Sequence, residues 1–179
     1  MTQPQRLRKH ASTDELSTFT CGTEEIDEWL RKRALKGQIA GNANVFVFEH
    51  NGRVLGFYAL ATGGVERSSA PSRVSRNAPD PVPILLLARL GVDRSAQGRG
   101  IGKRLLQDAL LRSIDISNEV GFRALLIHCQ DLAARDYYLS VVPGFLRSPV
   151  DELHLLLPLT GLLDIYKSIV SPAYRLSAR

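Results

Sequence analysis

The 179-residue sequence predicts one α/β domain of the α+β kind, with a mixed central sheet and helices packed against it. Two observations carry this prediction. The pair Asn51-Gly52 stands between two runs rich in β-formers, the strongest short-range signal of an antiparallel hairpin. Two near-continuous apolar runs, Ile84-Leu85-Leu86-Leu87 and Ala124-Leu125-Leu126-Ile127, are separated by a long amphipathic segment. That is the pattern of a β-α-β unit, whose two strands are parallel.

The elements follow in chain order. Residues 24–40 read as a helix, because Ile26, Leu30, Ala34 and Leu35 recur at helical spacing beside Trp29. Thr23 is placed to cap it, Glu24, Glu25 and Asp27 suit the positive end of its dipole, and Gly37 and Gly41 bound its far end. Residues 44–50 and 53–65 form the hairpin. Residues 66–82, rich in Ser, Pro, Arg and Asn, are a long loop. Residues 83–92 are a strand buried on both faces, interrupted by Arg89 and closing at Gly91, where a bulge or a close backbone approach is expected. Residues 101–120 are the clearest helix, with Ile101, Leu105, Ala109, Ile116 and Val120 along one side and Gly121 as its stop. A strand at 124–127 follows. Asp131 then caps a short helix at 132–140, and 144–148 and 152–158 are two more strands. The tail, 161–179, has no clear period.

Hydrophobic residues make up 44% and charged residues 23%, ordinary for a globular domain. No apolar run approaches the roughly 20 residues that span a bilayer, and the polar, basic start has no apolar stretch of a secretory signal behind it. A cytoplasmic protein with no membrane association is expected. Cys21 and Cys129 are isolated, which gives neither a disulfide framework nor a metal-ligand spacing; both read as core filler, and no metal site is expected. His128 reads as a buried histidine bonded to backbone, and His10, His50 and His154 as surface residues. The net charge of +5 is a mild excess that suits an anionic partner.

The chemistry lies between the strand and the long helix, in Leu90-Gly91-Val92-Asp93-Arg94-Ser95-Ala96-Gln97-Gly98-Arg99-Gly100-Ile101-Gly102-Lys103. Glycines at a helix N-terminus let backbone N–H groups face outward, and these donors together with the helix dipole bind phosphate. A dinucleotide fingerprint, Gly-x-Gly-x-x-Gly, does not fit: its sixth position is Lys103 counted from Gly98 and Leu105 counted from Gly100. A P-loop does not fit either, because Arg104 follows Gly102-Lys103 where Ser or Thr is needed and Gln97 stands where the first glycine belongs.

Gln97-Gly98-Arg99-Gly100-Ile101-Gly102 instead resembles the pyrophosphate motif of the GNAT superfamily of N-acetyltransferases, Gln/Arg-x-x-Gly-x-Gly/Ala, and matches it in full. The resemblance implies the GNAT fold, with a mostly antiparallel sheet and a splayed parallel strand pair, and acetyl-CoA as cofactor. The pantetheine arm would lie in the gap beside the strand, pairing with backbone near Leu90, Gly91 and Val92. The diphosphate would be held by Gln97, Gly98, Arg99, Gly100, Ile101, Gly102 and Lys103. Ala134-Arg135-Asp136-Tyr137-Tyr138 before Gly144-Phe145 resembles the segment in which the family carries the tyrosine that protonates the departing CoA thiolate. Tyr138 is the match and Tyr137 the fallback. The family usually has three residues between that tyrosine and Gly-Phe; here there are five, residues 139–143. No general base stands out.

The likeness extends to Phe19-Thr20-Cys21-Gly22-Thr23-Glu24-Glu25-Ile26-Asp27-Glu28-Trp29-Leu30, to Leu87-Ala88-Arg89-Leu90-Gly91-Val92-Asp93 and to the ending from Gly144-Phe145 to Leu159. These are similar to the TacT-like branch, the acetyltransferase toxins of bacterial toxin–antitoxin modules. That likeness implies acetylation of the α-amine of aminoacyl-tRNA, which blocks translation, and a ribbon-helix-helix antitoxin as partner, with homodimerisation left open. An ester beside that amine lowers its pKa toward neutral, so it needs little help from a base. Basic residues expected to face the tRNA are Arg6, Arg8 and Lys9, Arg31, Lys32, Arg33 and Lys36 on the first helix, and Arg73 and Arg76 in the loop, and Arg89 is expected either to meet a carboxylate or to point at the substrate. Two alternatives stand beside this reading: an acetyltransferase for a small amine or a protein N-terminus, and a catalytically silent binding module.

Overall fold

The computed structural model describes residues 6–170, so the end of the unassigned tail, 171–179, lies outside the described residues. Seven strands form one sheet in the order β1-β2-β3-β4-β5-β7-β6, mostly antiparallel with one parallel pair. They are β1 (Arg6–Lys9), β2 (Asn44–His50), β3 (Arg53–Val65), β4 (Val82–Val92), β5 (Ala124–His128), β6 (Leu146–Arg147) and β7 (His154–Pro158). The helices are α1 (Glu24–Lys32), α2 (Ala34–Ile39), α3 (Ser72–Ser75), α4 (Ile101–Ser117), α5 (Leu132–Val141) and α6 (Leu159–Val170). No described helix is long and apolar enough to cross a membrane. The chain divides into two compact units, and β3, β4 and α4 contribute residues to both.

The first unit takes in residues up to Ala61 and Leu87–Ala109. Its hairpin turns where expected: Asn51 and Gly52 have φ of 52° and 76°, the positive pair that a tight hairpin turn demands. Pairing of β2 with β3 runs from Asn44↔Leu60 to His50↔Arg53, with a bulge at Phe48/Glu49. Phe19, Leu30, Ala34, Val45, Val47, Val54, Phe57 and Ala59 form its core, with Ile26 and Trp29 packed against it. The stretch expected as one helix is two, α1 and α2, with a break at Arg33, whose φ of −122° is not helical. One strand, β1, was not expected. It pairs antiparallel with β2, and Arg8 bridges Asp14 and Glu49. His10, expected on the surface, is 5% exposed and shares the Asp14 carboxylate at 2.7 Å. A short basic segment carries little apolar periodicity, and its strand character comes from the partner edge and these ion pairs.

The second unit takes in Thr62–Leu86 and the chain from Leu110 onward. Its core gathers Val74, Val82, Ile84, Ala124, Leu126 and Leu156. The expected loop at 66–82 is in fact ordered by a short 3₁₀ turn and by α3, whose Val74 is fully buried. Arg123 holds the carbonyl oxygens of Val74 and Arg76 at 3.3 and 2.9 Å, which ties that segment to the start of β5. Strands β5 and β7 pair antiparallel from Ala124↔Pro158 to His128↔His154, and β7 pairs with the two-residue β6. The unassigned tail begins as α6, which buries Leu162.

Candidate functional site

The strand β4 ends in a turn built around one carboxylate. Asp93, 1% exposed, accepts hydrogen bonds from the Ser95 amide at 3.0 Å, the Ser95 hydroxyl and the Thr20 amide at 3.1 Å, with Arg53 at 3.6 Å. Burial alone would raise its pKa. The donors from Ser95 and Thr20 and the Arg53 charge outweigh burial and hold the carboxyl below its usual range. The Asp93 amide donates to the Leu55 carbonyl at 2.9 Å and the Arg94 amide to that of Thr20 at 2.8 Å. The turn is therefore pinned to β3 on one side and to the segment before α1 on the other.

Gln97 sits in the exposed loop, but its side-chain amide faces protein. Its Nε2 donates to the carbonyls of Cys21 at 2.9 Å and Val92 at 3.0 Å. The motif's glutamine is thus a strut that fixes where the glycines begin. Gly98 and Gly100 follow with φ of 75° and 77°, conformations that cost any other residue energy. Neither has an atom within 4 Å of where a Cβ would stand, so both face open space. The first helical bond of α4 runs from the Arg104 amide to the Gly100 carbonyl at 3.1 Å, and the amides of Ile101, Gly102 and Lys103 precede it. Amides at that place in any α-helix lack an intrahelical acceptor and carry the positive end of the dipole. Arg99 and Lys103 are exposed beside them, while Ile101 is buried.

Two glycines bring this loop close to the sheet. A Cβ on Gly91 would lie 2.9 Å from the ring of Phe57, the close approach expected at that position. A Cβ on Gly56 would lie 2.9 Å from Leu105 and 3.2 Å from Ile101, so the start of α4 packs directly on the β3 backbone. The role of Gly56 was not read from the sequence, since one glycine in a strand has no local mark of what lies above it. Leu90 and Val92 flank Gly91, half-buried on β4.

The other expected residues divide clearly. Arg89 meets a carboxylate, with Glu25 at 3.7 Å, and its guanidinium lies over the Trp29 ring at 4.8 Å. Arg31 donates to the Phe19 carbonyl at 2.8 Å and faces Glu24, while Lys32 pairs with Glu28. Arg33 and Lys36 are exposed. All of these belong to the unit that holds the glycine loop.

Tyr138 belongs to the second unit, on α5. Asp131 caps that helix as expected, accepting from the Ala134 amide at 2.8 Å. After Tyr138, residues 139–141 stay helical, and Gly144 turns the chain with φ of 101°. Tyr138 packs edge-on to Tyr137 and Phe145, at 5.7 and 6.4 Å. Burial, followed by Cys129 and Tyr137, pushes its pKa well above that of an ordinary phenol, so it holds its proton at neutral pH.

Cys129 is buried and Cys21 half-buried, and desolvation pushes each thiol up to about 11. Neither is a thiolate at neutral pH, in line with core filler. The histidine expectations need correcting. His128 is exposed rather than buried, because the strand ends there, and His154 is half-buried opposite it. With Asp151 they form the one cluster among the described residues whose donor atoms could hold a metal ion. The sequence showed no sign of it, since the register of β5 and β7 creates it.

Residues 41–141 match the family model for the acetyltransferase (GNAT) domain. The chain is 46% identical over 150 residues to the tRNA-acetylating toxin of Mycobacterium tuberculosis, covering 84% of this chain and 89% of that protein. It is 30% identical over 158 residues to a probable toxin TacT of Sinorhizobium fredii, covering 83% and 87%. The chain belongs to the GNAT acetyltransferase family. Its fold is that of the solved toxin AtaT in complex with acetyl-methionyl-tRNA, with a TM-score of 0.82 at 23% identity over 91% of this chain and 99% of that one. The crystal structure of AtaTR bound with acetyl-CoA superposes with a TM-score of 0.77 at 24% identity over 90% of this chain and 97% of that one. This GNAT chain is an acetyltransferase that takes its acyl group from acetyl-CoA.

Proposed function

We propose that this acetyltransferase moves the acetyl group of acetyl-CoA to the α-amine of an aminoacyl-tRNA and acts as a translation-blocking toxin of the TacT-like branch. The observation that carries this is the 46% identity to a tRNA-acetylating toxin across 84% of the chain, with the glycine loop intact within it. The amine attacks the thioester carbonyl, the tetrahedral intermediate collapses with cleavage of the C–S bond, and the products are an N-acetylated aminoacyl-tRNA and free CoA. N-acetylation leaves no nucleophilic amine for peptide-bond formation.

In this reading the backbone of Gln97, Gly98, Arg99, Gly100, Ile101, Gly102 and Lys103 receives the diphosphate, and Leu90, Gly91 and Val92 pair with the pantetheine arm. An N–H near Gly91 serves the oxyanion. Tyr138, whose environment keeps it protonated, gives its proton to the departing thiolate. Arg33, Lys36 and, less directly, Arg31 and Lys32 contribute a basic surface to tRNA, while Arg89 orients the acceptor from its seat on Trp29. We treat residues 1–179 as one functional domain, because the family match runs through both units. A toxin acting on aminoacyl-tRNA works in the cytoplasm and is held there by an antitoxin; in support of such a partner, AtaT has been solved with the C-terminus of its antitoxin AtaR.

The test is to incubate the protein with labelled acetyl-CoA and total charged tRNA. Label should appear on the aminoacyl end of tRNA, be released with the ester, and be absent when the tRNA is uncharged. Label found on small amines or protein N-termini alone would replace this substrate, and failure to bind acetyl-CoA would leave a silent binding module.

A further inference from the structure

The end of β5 and the turn before β7 place two imidazoles and a carboxylate together. His128 and His154 are directly opposite in the antiparallel ladder. The amide of Cys129 donates to the Leu153 carbonyl at 2.8 Å, so 129/153 is a hydrogen-bonded pair and 128/154 is the narrow, non-hydrogen-bonded one. In such pairs the side chains on one face come closest. The two rings meet edge to face with centroids 4.3 Å apart.

Asp151 completes the group, and the turn holds it in place. Its Oδ1 accepts from the Leu153 amide at 2.9 Å, which leaves Oδ2 facing His154 Nε2 at 3.5 Å. The turn itself is fixed by Ser148. Its hydroxyl donates to the Ser69 carbonyl at 2.8 Å and accepts from the amides of Val150 and Asp151, each at 3.3 Å. The three ligand atoms lie within 4.8 Å of one another. A tetrahedral ion with bonds of about 2.0–2.1 Å holds its ligands roughly 3.3 Å apart, so small side-chain rotations close the set.

We propose that His128, Asp151 and His154 form a binding site for a divalent transition-metal ion, with Zn²⁺ as the best match. Two imidazole nitrogens and one carboxylate suit zinc far better than magnesium or calcium, which take oxygen ligands. Three protein ligands leave a fourth position, and the exposure of His128 opens it to water or an added ligand. A bound ion would clamp the end of β5 to the turn at 151, three residues ahead of Asp131, the cap of α5.

The test measures zinc binding by untagged, full-length protein, by equilibrium dialysis and by calorimetry, so it does not depend on any transfer reaction. One zinc per chain is expected, with affinity lowered by at least about tenfold in His154→Ala and in His128→Ala, and by a smaller factor in Asp151→Asn. His50→Ala should bind as the wild type does, and excess Mg²⁺ should not compete. His128 is exposed, so its variant should keep the wild-type circular dichroism even if the His154 variant unfolds. Equal zinc binding by the wild type and His128→Ala, or loss of binding in His50→Ala, would overturn the proposal.

Discussion

At the scale of single residues, Asp93 has a role the sequence did not announce. It stands in an unremarkable place after β4, yet it gathers donors from Ser95 and Thr20 and the charge of Arg53. Replacing it with Asn removes charge-assisted bonds worth about 1.5–3 kcal/mol and is expected to lower stability by that order. The pH dependence follows from the depressed pKa. Its contribution is present above the unfolded value, about 3.9, and is lost as pH falls through the lower folded value. Urea denaturation should therefore show a large gap between wild type and Asp93→Asn at pH 7 that narrows in acid. A gap independent of pH would mean that shape rather than charge matters there. Tyr138 calls for a different kind of test. If its proton goes to the thiolate, Tyr138→Phe should lower kcat by about tenfold or more with acetyl-CoA affinity unchanged. An unchanged kcat would assign the proton to another group.

At the scale of elements, the loop and the start of α4 separate folding from binding. Gly100 has φ of 77° and open space around it, so a larger side chain meets no steric clash and costs only backbone strain, about 1–2 kcal/mol. Gly100→Ala should stay folded with a modest loss of thermal stability. Gly100→Glu should stay folded too, yet lose acetyl-CoA binding by calorimetry, because in the proposed site its carboxylate would compete with the diphosphate at the helix start. Normal binding by the Glu variant would show that the diphosphate is held elsewhere. The contrast also explains what the sequence could reveal. Local signals spoke plainly where backbone conformation dictates residue type: Asn51-Gly52, the loop glycines and the Asp131 cap were all legible. Signals failed where distant partners decide. The strand β1 depends on the edge of β2, and α3 on the core that buries Val74 and on carbonyls taken by Arg123. The break at Arg33 divides a segment whose apolar spacing is continuous through Ala34. The strut role of Gln97 and the close approach at Gly56 likewise arise only once strands and helix are in place.

At the scale of the whole molecule, the question is whether the charge excess of +5 grips a polyanion. Several cations of the unit that holds the glycine loop already have work within the fold: Arg8 with Asp14 and Glu49, Arg53 with Asp93, Arg31 with the Phe19 carbonyl, and Lys32 with Glu28. The remaining grip on tRNA would rest on a few exposed residues such as Arg33 and Lys36, so only a handful of phosphates need be held. A grip on about four phosphates predicts that kcat/KM for charged tRNA falls roughly fifty- to a hundred-and-fiftyfold between about 50 and 200 mM salt, through counterion release. Charge reversal at Arg33 and Lys36 should flatten that slope and lower activity at low salt, leaving acetyl-CoA binding untouched, since the proposed cofactor site is the glycine loop and not these residues. A small amine carries one charge and releases few counterions, so its acetylation would vary little over the same range. Steady-state rates on charged tRNA at several salt concentrations therefore distinguish the two substrates without knowledge of which tRNA is preferred. A flat response would mean that the basic surface serves solubility alone and that the acceptor is small.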